Sequence, residues 1–157
     1  MAEYKATISW TRKGSPEDFT KGKYPREHAW AFDGGVTVPG SSSPAVVPTP
    51  WSNPSAVDPE EALVAAISSC HMLTFVYLAQ KAGFVVDAYE DAAVGTMTKG
   101  ERGGTPWVSH VTLAPRIAWG GGKQPTEAEQ AHLHHEAHEQ CFIAQSVKTE
   151  ITVARPS

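Results

Sequence analysis

Apolar and polar positions in this chain fall into two kinds of run. Residues Tyr4 to Thr11 alternate and are rich in β-branched and aromatic side chains, the period-two pattern of a half-buried strand. Ala29 to Asp33 repeats it and enters Asp33-Gly34-Gly35, a turn signal; the stretch between, Lys13 to Lys23, reads as a loop. Phe84 to Met97 and Val108 to Trp119 are again strand-like, with Gly-rich turns over Lys99 to Pro106 and Gly120 to Gln124. The chain closes on a β-branched strand, Val147 to Val153.

Two segments carry helix signals instead. Asp58-Pro59-Glu60-Glu61 is a helix start, with Asp as N-cap, Pro at the first helical position and acidic residues where the macrodipole favours them. Ala62 to Ala79 then stays uncharged until Gln80, Lys81 and the terminating Gly83. Such a run must be weighed as a membrane span, but Ser68, Ser69, His71 and Thr74 fall in its middle and Ala dominates its first half. The expectation is a helix buried on all sides, in the core of the domain or of an oligomer. The second helix opens at Pro125-Thr126-Glu127-Ala128-Glu129, a capping box with Thr126 as N-cap, and runs to about Gln140. Between Pro39 and Pro59 six prolines interleave with Ser and Val, an extended connection wrapping over one fold. Strands and helices do not alternate strictly, so the expected class is α+β with antiparallel sheet.

Length and charge narrow the function classes. The 157 residues are expected to form a single domain, residues 1–157. A net charge of −4 without any block of like charge offers no field for nucleic acid or anionic lipid. No phosphate-cradling glycine motif is present. The opening MAEYKATISW lacks the apolar run of a signal peptide, so the expected location is the cytoplasm. In that reducing compartment the two cysteines, Cys70 and Cys141, are too few for a disulfide scaffold and fit catalytic, redox-sensing or metal-binding roles better.

The residues alone leave those roles open. Cys70 sits mid-helix, where a buried cysteine is commonly an inert small hydrophobe; reactivity requires a thiolate, and the helix N-terminus is too far away to favour one. A cationic side chain from elsewhere would have to supply the field. Cys141 follows a His-rich helix in which His134, His138 and Cys141 share one face at i, i+4 and i+7. A zinc site with a fourth ligand such as Cys70 or His71 is one reading. The other has His132 and His135 facing solvent while His138 packs near Cys141.

The segment from Asp58 to His71, Asp-Pro-Glu-Glu-x-Leu-x-x-Ala-x-x-x-Cys-His in outline, resembles the reactive-cysteine helix of the OsmC/Ohr family of thiol peroxidases. Ala137 to Val147 resembles that family's second-cysteine segment, and Tyr24 to Gly35 adds to the similarity, which spans about residues 24 to 153. The resemblance implies an OsmC-like fold: an intertwined homodimer with β-sheets wrapped around two central helices. It implies that Cys70 attacks an organic hydroperoxide and that Cys141 resolves the sulfenic acid to a disulfide, with no cofactor beyond this pair and an external dithiol reductant, a lipoyl-type dithiol among the candidates. Glu60 matches the family's glutamate, which holds an arginine against the reactive sulfur. Arg26 is the arginine chosen for that task, with Arg12, Arg102 and Arg116 as rivals and His28 as a possible assistant. Met72, Phe75 and Phe142 are candidate substrate contacts.

Helix geometry adds a constraint of its own. Ten residues at about 1.5 Å rise put Glu60 and Cys70 roughly 15 Å apart along one helix, so Glu60 is expected to serve the Cys70 of a partner subunit. The sequence also departs from the best-known branch, because Cys141 is followed by Phe142-Ile143-Ala144-Gln145-Ser146 rather than by Pro, an apolar residue and Ser. That departure bears on reductant and substrate preference. The alternatives to an organic hydroperoxide reductase are a non-catalytic OsmC-like ligand-binding or stress protein and the His/Cys zinc protein.

Overall fold

A computed structural model describes residues 1–100 and 104–154, which cluster into two units, Met1–Ala62 and Leu63–Ser157. In the first, β1 (Ala6–Ser9), β2 (His28–Phe32) and β3 (Thr37–Gly40) form an antiparallel sheet in that order. The Asp33-Gly34-Gly35 signal does make the β2–β3 turn: Phe32 N–H donates to the Val36 carbonyl at 2.9 Å, and Gly35 takes a φ of +88° that side chains other than glycine resist. Pro39 is tolerated because β3 is an edge strand. Gly40 faces His28 across the ladder; a Cβ there would lie 2.5 Å from Trp30 Nε1 and 2.6 Å from His28 Nε2, so close packing of those two rings requires glycine.

The stretch expected as a loop, Lys13 to Lys23, contains a short helix, α1 (Pro16–Thr20). Ser15 caps it by accepting from Asp18 N–H at 3.0 Å, with Pro16 at its start and Glu17 and Asp18 in its first turn. Terminal signals of this kind suffice for a single turn without any apolar periodicity.

The helix α2 (Pro59–Lys81) starts where the sequence places it. Asp58 Oδ1 accepts from Glu61 N–H at 2.8 Å and Glu61 Oε2 accepts from Asp58 N–H at 3.2 Å, a reciprocal cap. At the far end Phe84 N–H reaches back to the Ala79 carbonyl at 3.0 Å with Gly83 at φ +80°, the left-handed stop. Each strand-like run then divides into two strands: β4 (Val85–Asp91) and β5 (Val94–Thr98), β6 (Trp107–Leu113) and β7 (Pro115–Gly120). Asp91 marks both breaks, since its carboxylate accepts from Ala114 N–H at 2.7 Å and from the Ser68 hydroxyl. The helix α3 (Glu127–Gln140) has the expected Thr126–Glu129 capping box, a 3-10 turn covers Ala144–Ser146, and β8 (Glu150–Val153) closes the fold.

β4 pairs with β7 and β5 with β6, both antiparallel, but β6 and β8 run parallel. The antiparallel sheet expected from sequence is present, with this one parallel pair added to it. The long crossover through β7 and α3 returns the chain in its original direction, which a tight hairpin cannot do.

Every fourth residue of α2 from Ile67 to Ala79 is buried: Ile67, His71, Phe75 and Ala79. Ile67 packs with Val111 and Leu113 of β6 in one core, whereas Phe75 and Ala79 pack with Phe84, Leu133 and Ala137 in another. His71 lies between them in the stripe. The remainder of α2 is not enclosed: its apolar window has a mean hydropathy of 1.8, long and apolar enough to cross a membrane, yet only 22% of that window is buried. Leu73 is 63% and Tyr77 54% exposed. Within one chain, burial on all sides therefore fails.

Phe75→Ala should cost about 3–5 kcal/mol of unfolding free energy, because the ring is fully buried and contacts Tyr89, Trp119 and His134. Urea denaturation followed by circular dichroism measures it, and a loss below about 1 kcal/mol would contradict this placement of the core.

Candidate functional site

The second unit brings the two cysteines together, both as free thiols. Cys70 is half-buried on α2, whereas Cys141, at the C-cap of α3, is 1% exposed. Its backbone N–H donates to the His138 carbonyl at 3.4 Å, and its Sγ accepts from Ala144 N–H at 3.4 Å, so the sulfur is held from both sides in sequence. Burial pushes the Cys141 thiol up from its ordinary value, and its interaction with the neighbouring Cys70 thiol pushes it further. Cys141 thus keeps its proton beside a more open Cys70.

Two histidines share the same helix–helix contact. His71 Nε2 and His134 Nδ1 are 3.1 Å apart, with ring centroids 5.4 Å apart and planes within 9°. At those separations both nitrogens lie close to the line joining the ring centres, so the contact is a near-linear N–H···N hydrogen bond. Phe75 stacks on His134 with centroids 4.3 Å apart. Both imidazoles are lowered from 6.5 to about 4, His71 by burial and then by His134 and His138, and His134 by burial, against an opposing pull from Asp91. Sequence spacing grouped His134 with His138 and Cys141 as metal ligands; the fold pairs it with His71 instead. Among the described residues no group of three or more His, Cys, Asp and Glu side chains is arranged to hold a metal ion. His132 and His135 are exposed. The signal for the pair was present in the α2 stripe, where His71 replaces an apolar residue at the i+4 spacing.

In the first unit, Arg26, His28, Ser41, Ser42, Ser43 and Glu60 line an open cleft of about 210 Å³. The Arg26 guanidinium lies over the Tyr24 ring, 3.6 Å from its centroid, and donates to the Tyr24 and Gly22 carbonyls. His28 Nδ1–H donates to the Arg26 carbonyl at 2.8 Å, and its Nε2 accepts from Trp30 Nε1–H at 2.6 Å. The imidazole tautomer is fixed by this chain of bonds, since the indole can only donate. Arg26 and Glu60 line one cleft without an ion pair between them among the described residues.

The remaining candidates are spread over the fold. Arg12 is exposed and donates to the Gly14 carbonyl, Arg116 pairs with Glu90 at 3.2 Å on the surface, and Arg102 lies outside the described residues. Met72 is half-buried. Phe75 is sealed in the core, and Phe142 is 81% exposed.

A family model described as OsmC-like protein matches residues 52–154. Among solved structures, the chain is similar to an OsmC-like protein of unknown function from Vibrio cholerae, with 46% identity, 98% of this chain and 99% of that one covered, and a TM-score of 0.92. It is similar in fold to an OsmC-like protein from Mycoplasma pneumoniae, at 12% identity, with 98% and 95% covered and a TM-score of 0.70. An organic hydroperoxide resistance protein from Elizabethkingia anophelis matches at 17% identity, with 99% and 97% covered and a TM-score of 0.68. No curated protein matches the chain in sequence.

The histidine pair gives stability a defined pH dependence. Folding lowers both imidazoles from 6.5 to about 4, so between those values the unfolded chain binds protons that the folded chain excludes. Stability is therefore complete above pH 6.5 and declines as pH falls toward 4, by roughly 3 kcal/mol for a shift of this size at one buried group. Urea midpoints measured from pH 7.5 to 4 should fall over this window, and the double variant His71→Gln/His134→Asn should flatten the fall. Parallel profiles for the two proteins would contradict the assignment.

Proposed function

The chain belongs to the OsmC-like family, and from that premise we propose that it is a thiol-dependent peroxidase reducing organic hydroperoxides in oxidative-stress defence. The observation that carries the reading is the pairing of a half-buried Cys70 with a buried, protonated Cys141. Cys70 as thiolate attacks the distal peroxide oxygen; the O–O bond breaks, a proton goes to the departing alkoxide, and Cys70 becomes a sulfenic acid while the hydroperoxide is reduced to an alcohol. Cys141 then attacks the sulfenic sulfur, a disulfide forms and water leaves with the thiol proton. An external dithiol, for which lipoyl groups are one chemical class, returns both thiols by exchange. No other cofactor enters the scheme, and a reducing cytoplasm would keep the resting pair reduced.

Arg26 and Glu60 are proposed to act together on a partner's thiol. Their shared cleft supports this, as does the helix rise, which separates Glu60 from the Cys70 of its own helix by roughly 15 Å. A homodimer would also cover the α2 face bearing Leu73, Val76 and Tyr77, which one chain leaves exposed. Glu60 would align the guanidinium, which stabilises the thiolate and the developing alkoxide charge.

Cys70→Ser should abolish tert-butyl hydroperoxide consumption, while Cys141→Ser should consume about one equivalent per chain and stop at a dimedone-reactive sulfenate. Full activity in Cys70→Ser would sink the proposal, and thiols inert to peroxide in the unaltered protein would favour a ligand-binding role. The shared site has its own test. Glu60→Gln and Cys70→Ser chains, each inactive or nearly so alone, should regain activity when mixed and allowed to exchange subunits, because each mixed dimer holds one intact site. No recovery despite verified exchange would place Glu60 and Cys70 in separate functions.

A further inference from the structure

The thiol pair and the imidazole pair occupy one continuous contact between α2 and α3. Cys70 meets Cys141, His71 meets His134, and Phe75 stacks on His134, so contacts climb α2 as they descend α3. We propose that the His71–His134 hydrogen bond is a positioning element that sets the register of α2 against α3 and so holds Cys141 against Cys70. The proposal rests on the reading of these cysteines as an attacking and resolving pair, and assigns their alignment to two residues that take no part in the sulfur chemistry.

Four observations carry it. The apolar partners in the contact, Ala79, Leu133 and Ala137, are held by burial, which is non-directional and tolerates sliding. A near-linear N–H···N bond fixes both distance and rotation. Its ends are also well placed: His71 adjoins Cys70 in the chain, and His134 stands seven residues before Cys141, on the same face of α3.

Finally, the two imidazoles have no other side-chain hydrogen-bond partner among the described residues. Asp91 from β4 and His138 from α3 act on the pair, but Asp91 is committed to Ser68 and Ala114. Loss of either ring nitrogen leaves the other unsatisfied in a buried setting, and the contact would relax to a different register. Positioning of this kind appears as an effective concentration of one thiol at the other.

The test is the equilibrium between the reduced pair and the Cys70–Cys141 disulfide in glutathione buffers at pH 7, read by thiol trapping and mass. Two glutathione molecules supply the two electrons and two protons that reduce the disulfide and leave as oxidised glutathione. His134→Leu should lower the constant for disulfide formation about tenfold or more, equivalent to about 30 mV in a two-electron couple. His134→Asn keeps an acceptor at the Nδ1 position and should stay within about threefold of the unaltered protein. His134→Phe retains a ring against Phe75 without an acceptor, and serves if the leucine variant does not fold.

A role in stability alone would destabilise both redox forms alike and leave the constant unmoved. A folded leucine or phenylalanine variant within about threefold of the unaltered protein overturns the proposal. So does an asparagine variant that loses as much as leucine, or an unaltered protein that forms no Cys70–Cys141 disulfide. No hydroperoxide enters the measurement, so an inactive enzyme and a misassigned histidine pair give different results.

Discussion

One helix has to serve two hydrophobic cores. The residues of α2 that turn inward at every fourth position give Ile67 to the core built on β6 and Phe75 and Ala79 to the core shared with α3. Midway between them the stripe carries a histidine, 2% exposed. An imidazole there without a partner would cost about 1–3 kcal/mol, comparable to what burial of an apolar side chain in its place would contribute. The cost is offset only if α3 presents a second imidazole at hydrogen-bond distance, as His134 does. Helix registry in the second unit is thus tied to a polar contact, while the apolar contacts around it supply most of the stabilisation.

The thiols inherit their difference from the same arrangement. Cys70 precedes His71 and falls off the buried stripe, so it stays half-open. Cys141 ends α3 beneath the 3-10 turn that follows and is almost fully enclosed. A buried thiol disfavours the anion, and a neighbouring sulfur able to accept its proton disfavours it again. Ala144 N–H works in the opposite direction, stabilising negative charge on Cys141, so ionisation of this sulfur is opposed at rest without being blocked. Two chemically identical side chains acquire different exposures from their places on two helices, half-buried at Cys70 and enclosed at Cys141.

Much of this was legible in the sequence where the signal was local. The Asp58 and Thr126 caps, the Gly83 stop and the Asp33-Gly34-Gly35 turn each depend on a few adjacent residues, and each formed as read. The OsmC-like segments at Cys70 and Cys141 were legible for the same reason. What escaped depends on partners distant in the chain. The parallel pairing of β6 with β8 is set by a crossover, and the split of each strand-like run follows from Asp91 reaching Ala114 and Ser68 across the fold. His134 is the sharpest case: the periodicity of α3 put it on a face with His138 and Cys141, but only the packing of α2 decides that its partner is His71.

The cleft of the first unit applies the opposite solution to a charged group. Among the described residues Arg26 is anchored without a carboxylate: the Tyr24 face takes one side of the guanidinium, two backbone carbonyls take its N–H groups, and His28, locked by Trp30, fixes the Arg26 backbone from behind. Cation–π contact and neutral acceptors orient the group without themselves neutralising it. Glu60 opens onto the same cleft from the first turn of α2. Arg26 and Glu60 thus share an open cleft, with donors on Arg26 beyond those its carbonyl partners use. An anionic sulfur or peroxide oxygen entering between them would meet a guanidinium already ordered, and little side-chain entropy would remain to be lost on binding.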